Sequence, residues 1–168
     1  MELNELIEIT KDELIRRIES SHALGVFAAR RSKFEGWLKV ELIDILIAKN
    51  RENVLPELGF IDITFEDVAI ELKTVNTNYR IAGFPSGNRP ITDNIAGIVE
   101  DIESLRLNSN FKNKFIIFIV FPLPEGHGRW SNHINVIEEK LGEVCCPQPF
   151  EFRNGTPGVI YYGKLANR

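Results

Sequence analysis

The stretch that decides the fold is FIDITFEDVAIELK, residues 60–73, in which apolar and polar residues alternate on both sides of an acidic pair. With Glu66 and Asp67 at the tip of a two-residue turn, Phe65 pairs with Val68 and the stretch closes into an antiparallel hairpin. Glu-Asp is not a favoured pair for so tight a turn, but a symmetrically longer loop keeps the same pairing. The apolar residues therefore predict the register of a β-hairpin.

This register sorts the hairpin side chains onto two faces, because successive residues of a strand point to opposite sides. One face takes the apolar residues Ile61, Ile63, Phe65, Val68, Ile70 and Leu72. The other face takes Asp62, Thr64, Ala69, Glu71 and Lys73. Asp62 then lies directly opposite Glu71. Like charges opposite each other destabilise a sheet, so the arrangement calls for a positive charge between the two carboxylates.

The composition fits one globular domain, with 168 residues of which 43% are hydrophobic and 26% charged. We expect a single domain over 1–168, with an N-terminal helical segment 1–31, a core 32–122, and a C-terminal helix and closing strands over 123–168. The longest apolar run, near 115–122, is too short to cross a bilayer, and the first residues contain no apolar signal region. These features predict a cytoplasmic protein with no membrane partner.

The charge and the cysteines narrow the class of function. A formal net charge of −4 argues against a passive basic coat for nucleic acid, but it permits an acidic metal cluster that faces a locally basic groove. Cys145 and Cys146 are adjacent and no CxxC or Cys/His spacing is present, which gives no support for structural zinc or redox chemistry. Motifs of serine hydrolases, nucleoside triphosphatases and dinucleotide enzymes are also absent.

Four helices are predicted from apolar spacing and capping signals. TKDELIRRIES has a capping box formed by Thr10 and Glu13. SKFEGWLKVELIDILIAKN repeats this box with Ser32 and Glu35. ITDNIAGIVEDIESLRL has Thr92 as its cap, and SNHINVIEEKLGEV forms the last helix.

The remaining strands complete an α/β fold. KFIIFIVFP is a continuous apolar run, typical of a strand buried on both faces, and the helix before it makes a right-handed crossover. PFEFRNGTPGVIYYGKL predicts two closing strands around an NGTPG turn. We therefore expect a central mixed sheet with helices on both sides.

A divalent cation fits the opposed carboxylates Asp62 and Glu71. Mg²⁺, or Mn²⁺ in its place, prefers oxygen ligands and is typically held by one or two carboxylates together with substrate phosphate oxygens. Lys73 lies two residues past Glu71 on the same face, where it can hold or polarise a metal-bound water for attack on phosphorus. The pattern indicates a hydrolytic site for a phosphodiester.

Asp62 followed by Glu71-Leu72-Lys73, between an acidic helix and a crossover helix with a buried strand, resembles the PD-(D/E)XK nuclease superfamily over about residues 32–122. The resemblance implies a restriction-endonuclease-like core and Mg²⁺-dependent hydrolysis of nucleic acid, with DNA favoured. It implies Asp62 and Glu71 as metal ligands, the Leu72 backbone carbonyl as a further ligand, and Lys73 as the residue that positions water. By analogy, a homodimer would cut both strands.

The resemblance also implies a glutamate from the preceding helix, and we assign Glu41 to this role as a metal ligand. Its helical neighbours Trp37 and Ile45 are apolar, so an acid there needs a reason. Glu35 is the competitor, but the predicted capping box already accounts for it. Ile61 stands where the superfamily's name has proline, a position that varies within the superfamily.

The loop NTNYRIAGFPSGNRP is a candidate for substrate binding, because unstructured loops of this length often act as lids or binding segments. Arg80 and Arg89 are predicted to contact phosphates, and Tyr79 to stack on bases or sugars. The alternative is a solvated loop with no such role.

Other interpretations of the hairpin remain open. Asp67 has the same alternation parity as Glu71 and defines an alternative register. The polar face can also be a solvated outer surface on which Lys73 forms an ordinary ion pair. At the level of function, the alternatives are a non-catalytic nuclease-fold subunit or nucleic-acid-binding module of a larger complex, and a phosphohydrolase for small phosphoesters.

Overall fold

A computed structural model of the chain describes residues 3–87, 90–124 and 126–166. Its helices are α1 Leu3–Ser20, α2 His22–Ala29, α3 Glu35–Ala48, α4 Ile91–Leu107 and α5 Trp130–Leu141. Its strands are β1 Leu55–Leu58, β2 Ile61–Phe65, β3 Val68–Asn76, β4 Asn113–Phe121, β5 Cys146–Glu151 and β6 Pro157–Lys164. The predicted α/β class, a mixed sheet flanked by helices, is confirmed.

The six strands form one sheet in the order β1-β2-β3-β4-β6-β5. Strands β3 and β4 are parallel and joined by α4, whereas all other neighbouring pairs are antiparallel. The predicted crossover is therefore confirmed, as are the two closing strands. This connection places α4 against β3, which carries Glu71 and Lys73.

The hairpin of β2 and β3 has the predicted register. Phe65 pairs with Val68, and Ile63 pairs with Ile70. The turn between them places Glu66 at a φ of 51°, a left-handed conformation that is uncommon for a residue with a Cβ. The apolar alternation was sufficient to fix this register despite an unfavourable turn sequence.

Two apolar cores lie on opposite faces of the sheet. The first core lies under helices α1, α2 and α3, and the second core lies under α4 and α5. The residues of β4 alternate between the cores, so the continuous apolar run is buried on both sides as predicted. Within the described ranges, no helix is long and apolar enough to cross a membrane.

The predicted helix caps are wrong at three places. Helix α1 begins well before Thr10, whose hydroxyl donates to the Leu6 carbonyl at 2.7 Å inside the helix. Phe34, not Ser32, precedes the first residue of α3, and it makes no side-chain cap. Thr92 lies inside α4. The Thr10 hydroxyl is bonded within its own helix, and the Glu35 carboxylate is bound to Thr74 of β3, so the local capping rule does not decide these helix starts.

Prolines occupy both edge strands of the sheet. Strand β1, which the alternation pattern did not predict, contains Pro56 followed by Glu57 at a φ of 55°. Strand β5 at the other edge contains Pro147 and Pro149. Proline has no backbone N–H to donate, which suits it to the edges of sheets.

Candidate active site

Asp62 and Glu71 meet where the hairpin strands separate. The β2–β3 pairing runs as far as Ile63 with Ile70, and Asp62 is the next residue outward. There the carboxylate of Asp62, rather than its backbone, meets β3, and Leu72 N–H donates to its Oδ2 at 2.9 Å. The side chains of Asp62 and Glu71 are hydrogen-bonded to each other, and Glu71 is only 6% exposed. The fold thus joins the two predicted carboxylates.

Ile61 departs from the predicted sorting of faces. It packs in the second core with Ala69 and Val75, and not in the first core with Ile63. The pairing of β2 with β3 ends at Ile63, and Ile61 pairs with Leu58 of β1 instead, so the hairpin register does not set the direction of this side chain.

The two carboxyl groups share one proton. Burial, the hydrogen bond to Asp62 and the charges of Asp62 and Asp101 raise the pKa of Glu71 to about 9. Burial also acts to raise the pKa of Asp62, but hydrogen bonds from Lys39, from Leu72 N–H and from Glu71 hold it below its ordinary value. Glu71 is therefore the protonated donor and Asp62 the ionised acceptor.

Lys73 lies on the α4 side of the sheet and forms an ion pair there. Its Nζ is 2.6 Å from Oδ2 of Asp101 on α4. Burial acts to lower the pKa of Lys73, but the hydrogen bond and charge of Asp101, with the charges of Glu35 and Glu71, raise the pKa above its ordinary value. Lys73 is therefore an ammonium group at neutral pH.

Glu35 is the carboxylate that α3 contributes to this cluster. Its Oε1 accepts hydrogen bonds from the Thr74 backbone N–H at 2.9 Å and from the Thr74 hydroxyl at 3.2 Å. Its charge raises the pKa of Lys73. The pKa of Asp101 is raised mainly by burial, and the charge of Glu35 adds to this effect. The predicted capping role of Glu35 is wrong, because its carboxylate is bound to β3 instead.

Glu41, the assigned ligand from α3, is not brought to the cluster. Its Oε2 accepts a hydrogen bond from Nη1 of Arg17 on α1 at 2.6 Å. The same guanidinium nitrogen binds Asp44 at 2.7 Å. Glu41 therefore belongs to an ion-pair network between α1 and α3 and not to the hairpin.

Lys39 of α3 reaches Asp62 from the opposite side. Its Nζ lies 2.8 Å from Oδ1 of Asp62 and 2.8 Å from Oε1 of Glu57. Both oxygens of Asp62 are therefore engaged, one by Lys39 and one by Leu72 N–H. Lys39 carries no sequence signal for this role, because its contact with Asp62 depends on how α3 lies across β2.

Asp101 was also missed, although a signal for it exists. It lies three residues after Ile98 and four before Leu105, and both of these side chains are buried. An acid on the buried stripe of a helix needs a partner. The same reasoning that selected Glu41 would have selected Asp101.

The donor chemistry of the cluster matches a hard divalent cation. The cluster has four carboxyl groups (Asp62, Glu71, Asp101 and Glu35) and the two ammonium groups of Lys39 and Lys73. Full ionisation would therefore leave a formal charge of −2. The side chains in this cluster that could bind a metal are all carboxyl groups, whose oxygens are the ligands that Mg²⁺ prefers. In the described ranges, however, no three His, Cys, Asp or Glu side chains are already arranged around a single metal position.

The predicted nucleic-acid contacts separate into three cases. Tyr79 is 7% exposed and stacks on His127 with ring centroids 3.8 Å apart, so it is a core residue and not an exposed base-stacking platform. Arg80 is exposed on the segment after β3. Arg89 falls outside the described residues.

Comparison with known protein families, with curated proteins and with solved structures finds no match to this chain.

The shared proton makes stability depend on pH. Since the pKa of Glu71 is raised in the folded protein, the folded state holds a proton that the unfolded state has lost, and the free energy of unfolding falls between about pH 5 and pH 9. Glu71→Gln keeps a neutral hydrogen-bond donor and does not titrate. We expect the stability of the parent relative to this variant to fall by about 2 kcal/mol between about pH 6 and pH 8.

Urea denaturation of both proteins in EDTA at several pH values measures this difference. Parallel pH profiles for the parent and Glu71→Gln would show that Glu71 does not carry the proton.

Proposed function

We propose that this chain is a PD-(D/E)XK-type nuclease that hydrolyses phosphodiester bonds in nucleic acid, DNA above all, with Mg²⁺ or Mn²⁺. One observation carries the proposal: the side chains of Asp62 and Glu71 are hydrogen-bonded to each other between neighbouring strands, and Lys73 follows Glu71 by two residues on the same strand. Metal binding to carboxylates releases protons. A carboxyl pair that shares a proton is therefore a natural place for a divalent cation.

The order of elements supports the proposed restriction-endonuclease-like core. Helix α3 is followed by the antiparallel strands β1, β2 and β3, then by the crossover helix α4 and the parallel strand β4. This order contains the acidic helix, the hairpin, the crossover helix and the buried strand on which the resemblance to the PD-(D/E)XK superfamily rests. Asp62 lies on β2 of this order, and Glu71 and Lys73 lie on β3.

Asp62, Glu71 and the Leu72 carbonyl would hold the cation. The N–H of Leu72 donates to Asp62, and in a strand the N–H and C=O of one residue point to the same side. The Leu72 carbonyl therefore faces Asp62 as well. When bound, the cation supplies a Lewis acid and lowers the pKa of a bound water.

Lys73 supplies positive charge and hydrogen-bond donors to the reaction. As an ammonium group it cannot accept a proton at neutral pH, so its role is to orient the attacking water and to stabilise charge on the phosphate oxygens. Asp101 holds its Nζ from α4. Glu35 fixes the backbone of Thr74, the next residue along β3.

Cleavage of DNA and RNA with Mg²⁺, Mn²⁺ or EDTA tests the proposal, using the parent and Asp62→Asn. We expect cleavage that needs the metal and that falls by about 100-fold or more in the variant, because the carboxylate charge at the metal position is lost. Linear, circular, single-stranded and branched substrates together identify the preferred structure.

Asp67→Asn is the matched control, since it removes the same charge from the same hairpin. Asp67 lies at the exposed tip, where its carboxylate accepts a hydrogen bond from Asn113 at 3.3 Å. Full activity of Asp67→Asn is expected. A loss in Asp67→Asn with full activity in Asp62→Asn would contradict the assignment of Asp62 as a metal ligand.

A non-catalytic nuclease-fold subunit is the second candidate. It is favoured by the engagement of both Asp62 oxygens and by the Lys73–Asp101 ion pair, which satisfy the cluster without a cation. Nucleic-acid binding by the folded parent with no cleavage of any substrate would support this candidate. Turnover of a phosphomonoester alone would instead indicate a small-molecule phosphohydrolase.

A further inference from the structure

A groove runs along the connection between α2 and α3. It consists of two adjoining cavities of about 650 Å³ and about 350 Å³ that share Ala29 and Arg30. The larger cavity lies between residues 30–33 and the segment 76–87 after β3. The smaller lies between α2 and the turn at Arg153. We call the two together the basic groove.

The basic groove has one sign of charge. Its titratable lining residues are His22, Arg30, Arg31, Lys33 and Arg153. Among the described residues that line it there is no Asp or Glu, although the chain as a whole has a net charge of −4. Such segregation produces a local positive potential in a concave surface, where field lines are focused.

Arg31 forms the wall of the groove and is not available to a ligand. It is buried, and its guanidinium donates to the carbonyls of Thr77, Tyr79 and Pro85. These bonds fasten the segment after β3 to the end of α2. The wall is therefore fixed by a buried side chain, each of whose three guanidinium nitrogens donates to a backbone carbonyl.

Three other cationic side chains are exposed and can contact a ligand. Arg30, Lys33 and Arg153 are exposed, and the only ion-pair partner recorded for them among the described residues is Glu35, 3.8 Å from Lys33. The turn that carries Arg153 is held in place, because Nδ2 of Asn154 donates to the Gly25 carbonyl at 2.7 Å. The groove thus presents exposed cations on a fixed framework.

The groove opens beside the candidate active site. Asn76 and Thr77 line it, and they follow Lys73 on β3 by three and four residues. A strand rises by about 3.3 Å per residue, so Thr77 lies about 13 Å beyond Lys73. Lys33 lines the groove and lies two residues before Glu35, which binds Thr74.

We propose that the basic groove binds the sugar–phosphate backbone of the nucleic acid on one side of the scissile bond, through Arg30, Lys33 and Arg153. The proposal deepens the proposed function and rests on it for the identity of the polymer. Cations of this kind position a substrate without reading its bases, so we expect contacts that are independent of sequence. The polymer would run from the carboxylates past Asn76 to the turn at Arg153.

Binding measured without cleavage tests the proposal. Fluorescence anisotropy of labelled single-stranded DNA, duplex DNA and RNA in EDTA compares the parent with the double variant Arg30→Ala, Arg153→Ala. Lys112→Ala, Lys140→Ala is the matched control, since both lysines are exposed and lie outside the groove. Thermal unfolding of both double variants verifies that the fold is retained.

We expect the groove variant to bind at least about 10-fold more weakly at low salt, and the control to bind as the parent does. The slope of log K against log salt should become shallower by roughly 1.4 to 1.8, because each lost phosphate contact removes about 0.7 to 0.9. Equal weakening in both double variants, or none in the groove variant, would overturn the proposal. Binding of anionic phospholipid vesicles in preference to every nucleic acid would overturn it too.

Failure of the nuclease proposal is distinguishable from failure of this one. If the parent binds through the groove but does not cleave, the groove proposal is supported and the catalytic assignment is contradicted. If the parent cleaves with Mg²⁺ and the groove variant binds as tightly as the parent, the catalytic assignment is supported and the groove proposal is contradicted.

Discussion

Replacing Lys73 by methionine is expected to lower the rate of phosphodiester cleavage by about 100-fold or more, because the variant loses the ammonium group that β3 places two residues beyond Glu71. Methionine keeps an unbranched stem, so the packing of the side chain against α4 changes little. Single-turnover cleavage with saturating Mg²⁺ measures the effect on chemistry separately from the effect on binding.

Lys140→Met is the matched control for this prediction. Lys140 also pairs with a carboxylate of α4, Glu103 at 3.2 Å, but both side chains are about half exposed. This variant should cleave at the parent rate, because exposed pairs contribute little. An unchanged rate in Lys73→Met, beside metal-dependent cleavage by the parent, would reduce Lys73 to a structural partner of Asp101.

Arg31→Ala should lower the free energy of unfolding by about 3 kcal/mol or more. The variant leaves the carbonyls of Thr77, Tyr79 and Pro85 without their donor, and each buried group left unsatisfied costs about 1–3 kcal/mol. Urea denaturation measures the loss. Proteolysis should also become faster in the segment 77–87, which Arg31 fastens to α2.

The neighbouring substitution Arg30→Ala tests the specificity of this effect. Arg30 is exposed, and we expect its replacement to change stability by no more than about 0.5 kcal/mol. Similar stability of the Arg31 and Arg30 variants would show that the segment after β3 is held by other contacts. It would also remove Arg31 as the fixed wall of the basic groove.

The parts of the fold that depend on a repeated pattern were predictable from sequence. The register of β2 and β3 follows from five alternating apolar residues, Ile63, Phe65, Val68, Ile70 and Leu72, and a slip of one residue would have buried Asp62 and Glu71 in their place. The burial of β4 on both faces follows in the same way from its continuous apolar run. Many side chains agree in such patterns, so one unfavourable turn cannot override them.

Features that depend on one or two residues were not predictable. Strand β1 is exposed along its whole length and includes a proline, so it has no alternation to recognise. Each predicted capping box rested on a single Ser or Thr and a Glu. A bond within the helix was enough to redirect Thr10, and a tertiary hydrogen bond was enough to redirect Glu35. Local rules of this kind predict structure only where no distant partner competes.

The candidate site shows the same difference between contacts set by a local pattern and contacts between distant elements. Asp62, Glu71 and Lys73 share one hairpin, so their proximity follows from local register. The contacts with Lys39, Asp101 and Glu35 join distant elements, and they depend on how α3 and α4 lie on the sheet. Sequence spacing carries no information about that placement, which is why Glu41 was preferred to Glu35.

The prolines at the two sheet edges bear on how copies of the chain can associate. A second molecule cannot extend the ladder in register along β1 or β5, because Pro56, Pro147 and Pro149 interrupt the row of N–H donors and Glu57 bends the backbone. We expect this protection to suppress growth into ordered fibrils when the protein is concentrated. We therefore expect a homodimer of this chain to join through its helices or loops and not through either edge of the six-stranded sheet.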